Sequence, residues 1–183
     1  IGAASGLVTG VAAGSPTMTY SLATGCFITT PFTVNPTPAA ITGTSNVCVG
    51  LTTTLSDATI GGSWSSSNTA LATVGAGTGI VSGISAGNPV ITYTLPAGCN
   101  TTYPITVNPL PAAIRGATQV CVGLSTTLTD ATSGGSWSTS NAAVATVSGG
   151  GTVTGVTAGT VTITYTLATG CFTTQAMTVN ALP

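Results

Sequence analysis

Apolar and hydroxyl-bearing residues alternate along Ile91-Thr92-Tyr93-Thr94-Leu95. The same order returns at Ile163-Thr164-Tyr165-Thr166-Leu167 and at Met18-Thr19-Tyr20-Ser21-Leu22. A period of two places the apolar members on one face of a strand and the hydroxyls on the other. The pattern predicts strands with Tyr20, Tyr93 and Tyr165 facing a core and Thr92, Thr94, Thr162 and Thr164 facing outward. A following strand directs Phe32 and Val34, Ile105 and Val107, or Met177 and Val179 inward by the same parity. Leu51, Thr53 and Leu55 share one face of an earlier strand, matched by Leu124, Thr126 and Leu128. Between them stands Gly61-Gly62-Ser63-Trp64-Ser65-Ser66-Ser67-Asn68, which returns as Gly134-Gly135-Ser136-Trp137-Ser138-Thr139-Ser140-Asn141. The glycine pair turns the chain, and the tryptophan supplies a large apolar anchor for a sheet core. No stretch shows helical periodicity.

These strands belong to a repeat of about 73 residues, seen in the recurrence of Trp64 at Trp137, Asp57 at Asp130 and Cys48 at Cys121. Residues 1–36 match only the back half of the unit, with Gly6-Leu7-Val8-Thr9-Gly10 corresponding to Gly79-Ile80-Val81-Ser82-Gly83. Two complete units follow, 37–109 and 110–183. The half unit lacks the tryptophan strand that would cover it, and upstream residues or another protein are expected to supply one. About seven short strands per unit, with turn signals every 8–12 residues, are the signature of a β-sandwich. The joints, Val34-Asn35-Pro36-Thr37-Pro38 and Val107-Asn108-Pro109-Leu110-Pro111, hold two prolines in three residues. They predict a semi-rigid end-to-end connection.

Composition narrows the chemistry. The 183 residues contain one Arg, two Asp, and no Lys, Glu or His. Most general acids, general bases and metal ligands are therefore missing, and no enzyme activity, cofactor or metal is expected. One cation makes no basic patch for nucleic acid. Mean hydropathy is positive at +0.57, yet no run of 18 apolar residues exists, so no segment reads as a membrane span.

Each complete unit has one cysteine before its second strand and one after its tyrosine strand. With no CxxC and no histidine, a structural disulfide is the simplest reading: Cys48 with Cys99 and Cys121 with Cys171, leaving Cys26 without a partner in its own unit. Such bonds imply an oxidising, extracytoplasmic location. Asp57 and Asp130 lie in Leu-Ser-Asp-Ala-Thr and Leu-Thr-Asp-Ala-Thr. One carboxylate per unit is too few for calcium and reads as a turn cap. Trp64 and Trp137 read as core anchors together with Tyr20, Tyr93 and Tyr165, rather than as a platform for sugars. Tyr103 has no counterpart in the other units and is a candidate surface contact. Asn100-Thr101-Thr102 fits the N-glycosylation sequon. The outward threonines Thr92, Thr94, Thr162 and Thr164 are candidates for O-linked glycans or for lateral contacts.

The ordered set Trp-Ser-Ser-Ser-Asn, Ala-Thr-Val, Gly-x-Val-x-Gly-x-x-x-Gly and Ile-Thr-Tyr resembles the bacterial Ig-like domain of group 2, the module of invasin- and intimin-type surface proteins. The resemblance covers both complete units and the half unit. It implies an all-β fold of tandem Ig-like sandwiches, an extracellular location on a bacterial surface, and no catalytic residues. The function expected from it is a structural segment of a surface fibre, filament or adhesin stalk. A carbohydrate- or receptor-binding adhesin module is the alternative. The expected partners are further copies of the same repeat, and glycans attached to the chain.

Overall fold

A computed structural model describes residues 5–183. Among them every regular element is a strand. Two come first: β1 (Thr17–Ser21) and β2 (Phe27–Pro31), an antiparallel hairpin closed by the turn that contains Gly25. Gly6–Gly10, the expected strand before them, is irregular. Its counterpart in the next unit is paired on both edges, and the half unit has no such neighbours among the described residues.

The next nine strands are β3 (Thr42–Gly43), β4 (Asn46–Cys48), β5 (Thr52–Ser56), β6 (Ser63–Ser66), β7 (Ala72–Val74), β8 (Ile80–Gly83), β9 (Val90–Thr94), β10 (Asn100–Pro104) and β11 (Thr106–Asn108). One layer has the order β3-β5-β8-β7. The other consists of β10-β9-β6 and the parallel pair β11-β4. The last seven are β12 (Gln119–Cys121), β13 (Ser125–Thr127), β14 (Ser136–Thr139), β15 (Ala145–Val147), β16 (Thr152–Gly155), β17 (Gly159–Thr166) and β18 (Phe172–Asn180). Here one layer is the continuous sheet β12-β18-β17-β14, and the facing layer is β13-β16-β15. The Arg115↔Thr129 bridge stands where β3 pairs β5 in the preceding unit. β18 is unbroken where β10 and β11 are two pieces.

Each pair of layers encloses its own core. Ile41, Val47, Leu55, Trp64, Val81, Ile91, Tyr93, Ile105 and Val107 pack in the first. Ile114, Val120, Leu128, Val153, Ile163, Tyr165, Met177 and Val179 pack in the second. The period-2 strands thus bury the parity their sequence demands. Leu51 and Leu124 do not follow that parity and stay exposed. Leu51 N–H donates to the Cys48 carbonyl and Leu124 N–H to that of Cys121, so both leucines sit in turns ahead of the strands.

Candidate functional site

Trp64 stands directly opposite Tyr93 across β6 and β9, and Trp137 opposite Tyr165 across β14 and β17. Their ring centroids are 4.7 Å apart in both pairs, tilted by 48° and 49°. Tilted aromatic pairs of this kind are favourable beyond the area they bury. Trp64 is 8% exposed, which leaves no ring face for stacking on a sugar. Trp137 packs on the second core but is only half-buried.

The tyrosine hydroxyls organise the loops that end each unit. Tyr93 Oη donates to the Thr59 carbonyl at 2.7 Å and accepts from the Gly62 N–H at 2.9 Å. Asp57 Oδ1 accepts the Thr59 N–H at 2.7 Å, an Asx turn, and Thr59 Oγ1 accepts the Ala39 N–H of the joint at 2.9 Å. Asp130, Thr132, Tyr165, Gly135 and Ala112 repeat every one of these bonds. Asp57 and Asp130 therefore act as turn caps, and no cluster of three or more His, Cys, Asp or Glu side chains occurs among the described residues. The second proline of each joint, Pro38 or Pro111, is buried, and so are Ile41 and Ile114. Each joint is thus fastened to the unit that follows it.

Tyr20 departs from the expectation for a core anchor. It is 67% exposed, and Leu22, Phe27 and Ile28 beside it are also open. The parity is correct, but no second layer lies over β1 and β2. Tyr103, expected as a surface contact, instead donates from Oη to the Gly43 carbonyl at 2.8 Å and packs against the first core.

The cysteine pairing differs from the expectation within units. Cys48 is bonded to Cys171 with a Cα–Cα distance of 5.7 Å, across a sequence separation of 123. Cys26, Cys99 and Cys121 are free thiols. Strand direction explains the correction. Cys48 closes β4 and lies in register with Asn108, the last residue of β11. Cys99 immediately precedes β10, at the opposite end of the same run of chain. Strands rise about 3.3 Å per residue, so the two cysteines of a unit lie roughly 30 Å apart, whereas a disulfide needs Cα atoms within about 7 Å. The second unit repeats the arrangement: Cys121 is in register with Asn180 at one end of the 9-residue β18, and Cys171 precedes its other end. Cys171 is fully buried, with its Sγ 4.0 Å from the Asn108 carbonyl oxygen, so it lies where the two units meet. The bond therefore crosses the joint. Nothing in the spacing of the cysteines distinguishes this pairing; it depends on the parallel pairing of β4 with β11, which brings Cys48 beside the last residues before the joint.

The outward parity carries a band of hydroxyls. Ser65, Thr92 and Thr102 are in register across β6, β9 and β10, and Ser138, Thr164 and Thr174 across β14, β17 and β18. Thr162 is exposed, Thr92, Thr94 and Thr164 are half-buried, and Asn100 is exposed at the start of β10. Among the described residues no helix is long and apolar enough to cross a membrane.

Comparison with known proteins places this geometry. Invasin, a bacterial integrin-binding protein, superposes with a TM-score of 0.52 at 17% identity, over 92% of this chain and 46% of invasin. The intimin fragment solved with the intimin-binding domain of its translocated receptor matches at 15% identity and a TM-score of 0.39, covering 90% of this chain and 57% of that one. Domains 1–6 of the surface layer protein SbsC match at 19% identity and a TM-score of 0.36 over 98% of this chain, which spans 37% of that structure. No curated protein is significantly similar in sequence. The family model for the bacterial Ig-like domain (group 2) matches residues 28–103 and again 101–178, and this chain belongs to that family.

Proposed function

We propose that this chain is a structural segment of an extracellular bacterial surface fibre, filament or adhesin stalk. Its units are divided as 37–109 and 110–183, with 1–36 as the back half of another. The observation that supports this most directly is the disulfide across the joint. A covalent bond between successive units, added to a Pro-stiffened linker, restrains rotation and extension where a chain of independent modules would bend. The near-identity of the hydrogen-bond networks in the two units fits a repeated building element rather than one specialised binding loop. The bond also fits an oxidising location outside the cytoplasm. The hydroxyl band, almost free of charge, is the surface through which neighbouring fibres pack or on which glycans are carried.

Electron microscopy of the native material tests the reading. Rods or fibres with a repeat set by the unit length are expected. A compact dispersed protein that binds defined sugars on a glycan array would overturn it in favour of a carbohydrate-binding module.

A further inference from the structure

We propose that Cys121 and Cys99 are the open ends of a disulfide ladder, each built to bond a cysteine of an adjacent repeat. The inference goes beyond the stalk reading and stands without it, because it follows from strand direction and from the Cys48–Cys171 bond. The Cys48–Cys171 bond joins the first cysteine of one unit to the second cysteine of the next. The first cysteine ends the strand that pairs in parallel with the unit's last strand, so it faces the following unit. Cys48 does this opposite Asn108, and Cys121 does it in the same register opposite Asn180. The second cysteine precedes the unit's long return strand, so it faces the preceding unit. Cys171 does this before β18, and Cys99 does it before β10.

The surroundings of Cys121 copy those of Cys48 closely. A Cβ at Gly83 would meet the Cys48 carbonyl oxygen at 2.7 Å and Val107 Cγ1 at 3.0 Å. At Gly155 the contacts are the Cys121 carbonyl oxygen at 2.7 Å and Val179 Cγ1 at 2.9 Å. The joint sequence Val107-Asn108-Pro109-Leu110-Pro111 also recurs as Val179-Asn180-Ala181-Leu182-Pro183. Cys121 thus stands beside a second joint of the same kind. Its partner is the counterpart of Cys171 in a repeat docked beyond that joint. The partner of Cys99 is the counterpart of Cys48 in a repeat docked before residue 37.

Formation of each rung joins two thiol sulfurs and releases two protons and two electrons. A disulfide-bearing oxidant such as oxidised glutathione takes these up and leaves as two thiols. Successive bonds skip the two cysteines of any single unit, so each unit is tied to both neighbours and none is closed on itself.

The test adds one further copy of residues 112–183 directly after Pro183, which recreates the joint without duplicating it, oxidises the protein with a glutathione couple, and maps its peptides without reduction. The expected result is Cys48 bonded to Cys171 and Cys121 bonded to the added counterpart of Cys171, with Cys99 open to alkylation. Cys121 bonded to Cys171 or Cys99, or left alkylatable beside an intact Cys48–Cys171 bond, overturns the proposal. The 183-residue chain, oxidised at high concentration, gives a second reading that needs no added repeat. Chain-to-chain bonds should join Cys121 of one copy to Cys26 or Cys99 of another. A population dominated by Cys121–Cys121 bonds, or one without bonds at Cys121, counts against it.

Discussion

The hydroxyl of Tyr93 donates to the carbonyl of Thr59 at 2.7 Å. Through this bond the strand that centres the sandwich holds the loop that receives the joint. Thr59 faces Asp57 through its N–H and Ala39 through its Oγ1, so one residue ties a turn, a core tyrosine and the linker together. Tyr93→Phe removes the donor and leaves the part-buried Thr59 carbonyl and Gly62 N–H short of a partner. A destabilisation of about 1–3 kcal/mol is expected. Tyr20→Phe, at an open position, should stay within about 0.5 kcal/mol. Urea unfolding of the two variants checks the difference.

The second glycine of each Gly-Gly pair is fixed by the same tyrosine. A Cβ at Gly62 would lie 2.5 Å from Tyr93 Cζ and 2.9 Å from the Thr94 carbonyl oxygen, and Gly135 meets Tyr165 and Thr166 in the same way. The ring packs against Trp64 and its hydroxyl is bonded to the Thr59 carbonyl, so it cannot withdraw cheaply. Gly62→Ala should cost about 1–3 kcal/mol by overpacking and shift the near-UV circular dichroism of the Trp-Tyr pair. Gly149→Ala, which meets nothing within 4 Å and has no positive φ, is the matched control.

Cys48→Ser should destabilise the folded chain by about 5 kcal/mol, the chain-entropy value for a loop of this length, and leave Cys171 a free thiol that alkylates once the chain is unfolded without reductant. Cys99→Ser should leave the melting temperature of the isolated chain unchanged. Calorimetry of both variants, with and without a reductant, measures the effect; reduction should lower the wild-type transition and leave Cys48→Ser where it was.

Tyr20, Leu22 and Ile28 form an exposed apolar face on the β1–β2 hairpin. Faces of this kind bind apolar dyes and promote association. The chain should enhance the fluorescence of anilinonaphthalene sulfonate, and a chain beginning at Thr37 should lose most of that signal while keeping its cooperative unfolding transition.

The threonine-rich face carries almost no charge, so nothing on it opposes lateral contact. Native mass spectrometry and electron microscopy should find either laterally associated rods or hexose-bearing peptides that include Thr92, Thr94, Thr162, Thr164 or Asn100. An unmodified chain that remains a dispersed rod at high concentration would rule out both.

What the sequence determined by itself was local and periodic. Alternation decided which faces of β9 and β17 are buried, because side-chain direction in a strand has a period of two whatever lies opposite. Repetition of the Trp, Asp and Tyr positions was enough to identify the family and to read Asp57 and Asp130 as turn caps, since an Asx turn closes within two residues. Only the tertiary structure decided what meets what. Tyr20 has the parity of Tyr93 but lies open, because burial needs a second layer and parity does not supply one. The two cysteines of a unit are about 50 positions apart in sequence, a spacing that suits a bond within the unit or across the joint equally well. The choice was made by the direction of the strands that carry them, which sets Cys48 and Cys99 at opposite ends of one sandwich and Cys48 against Cys171 of the next.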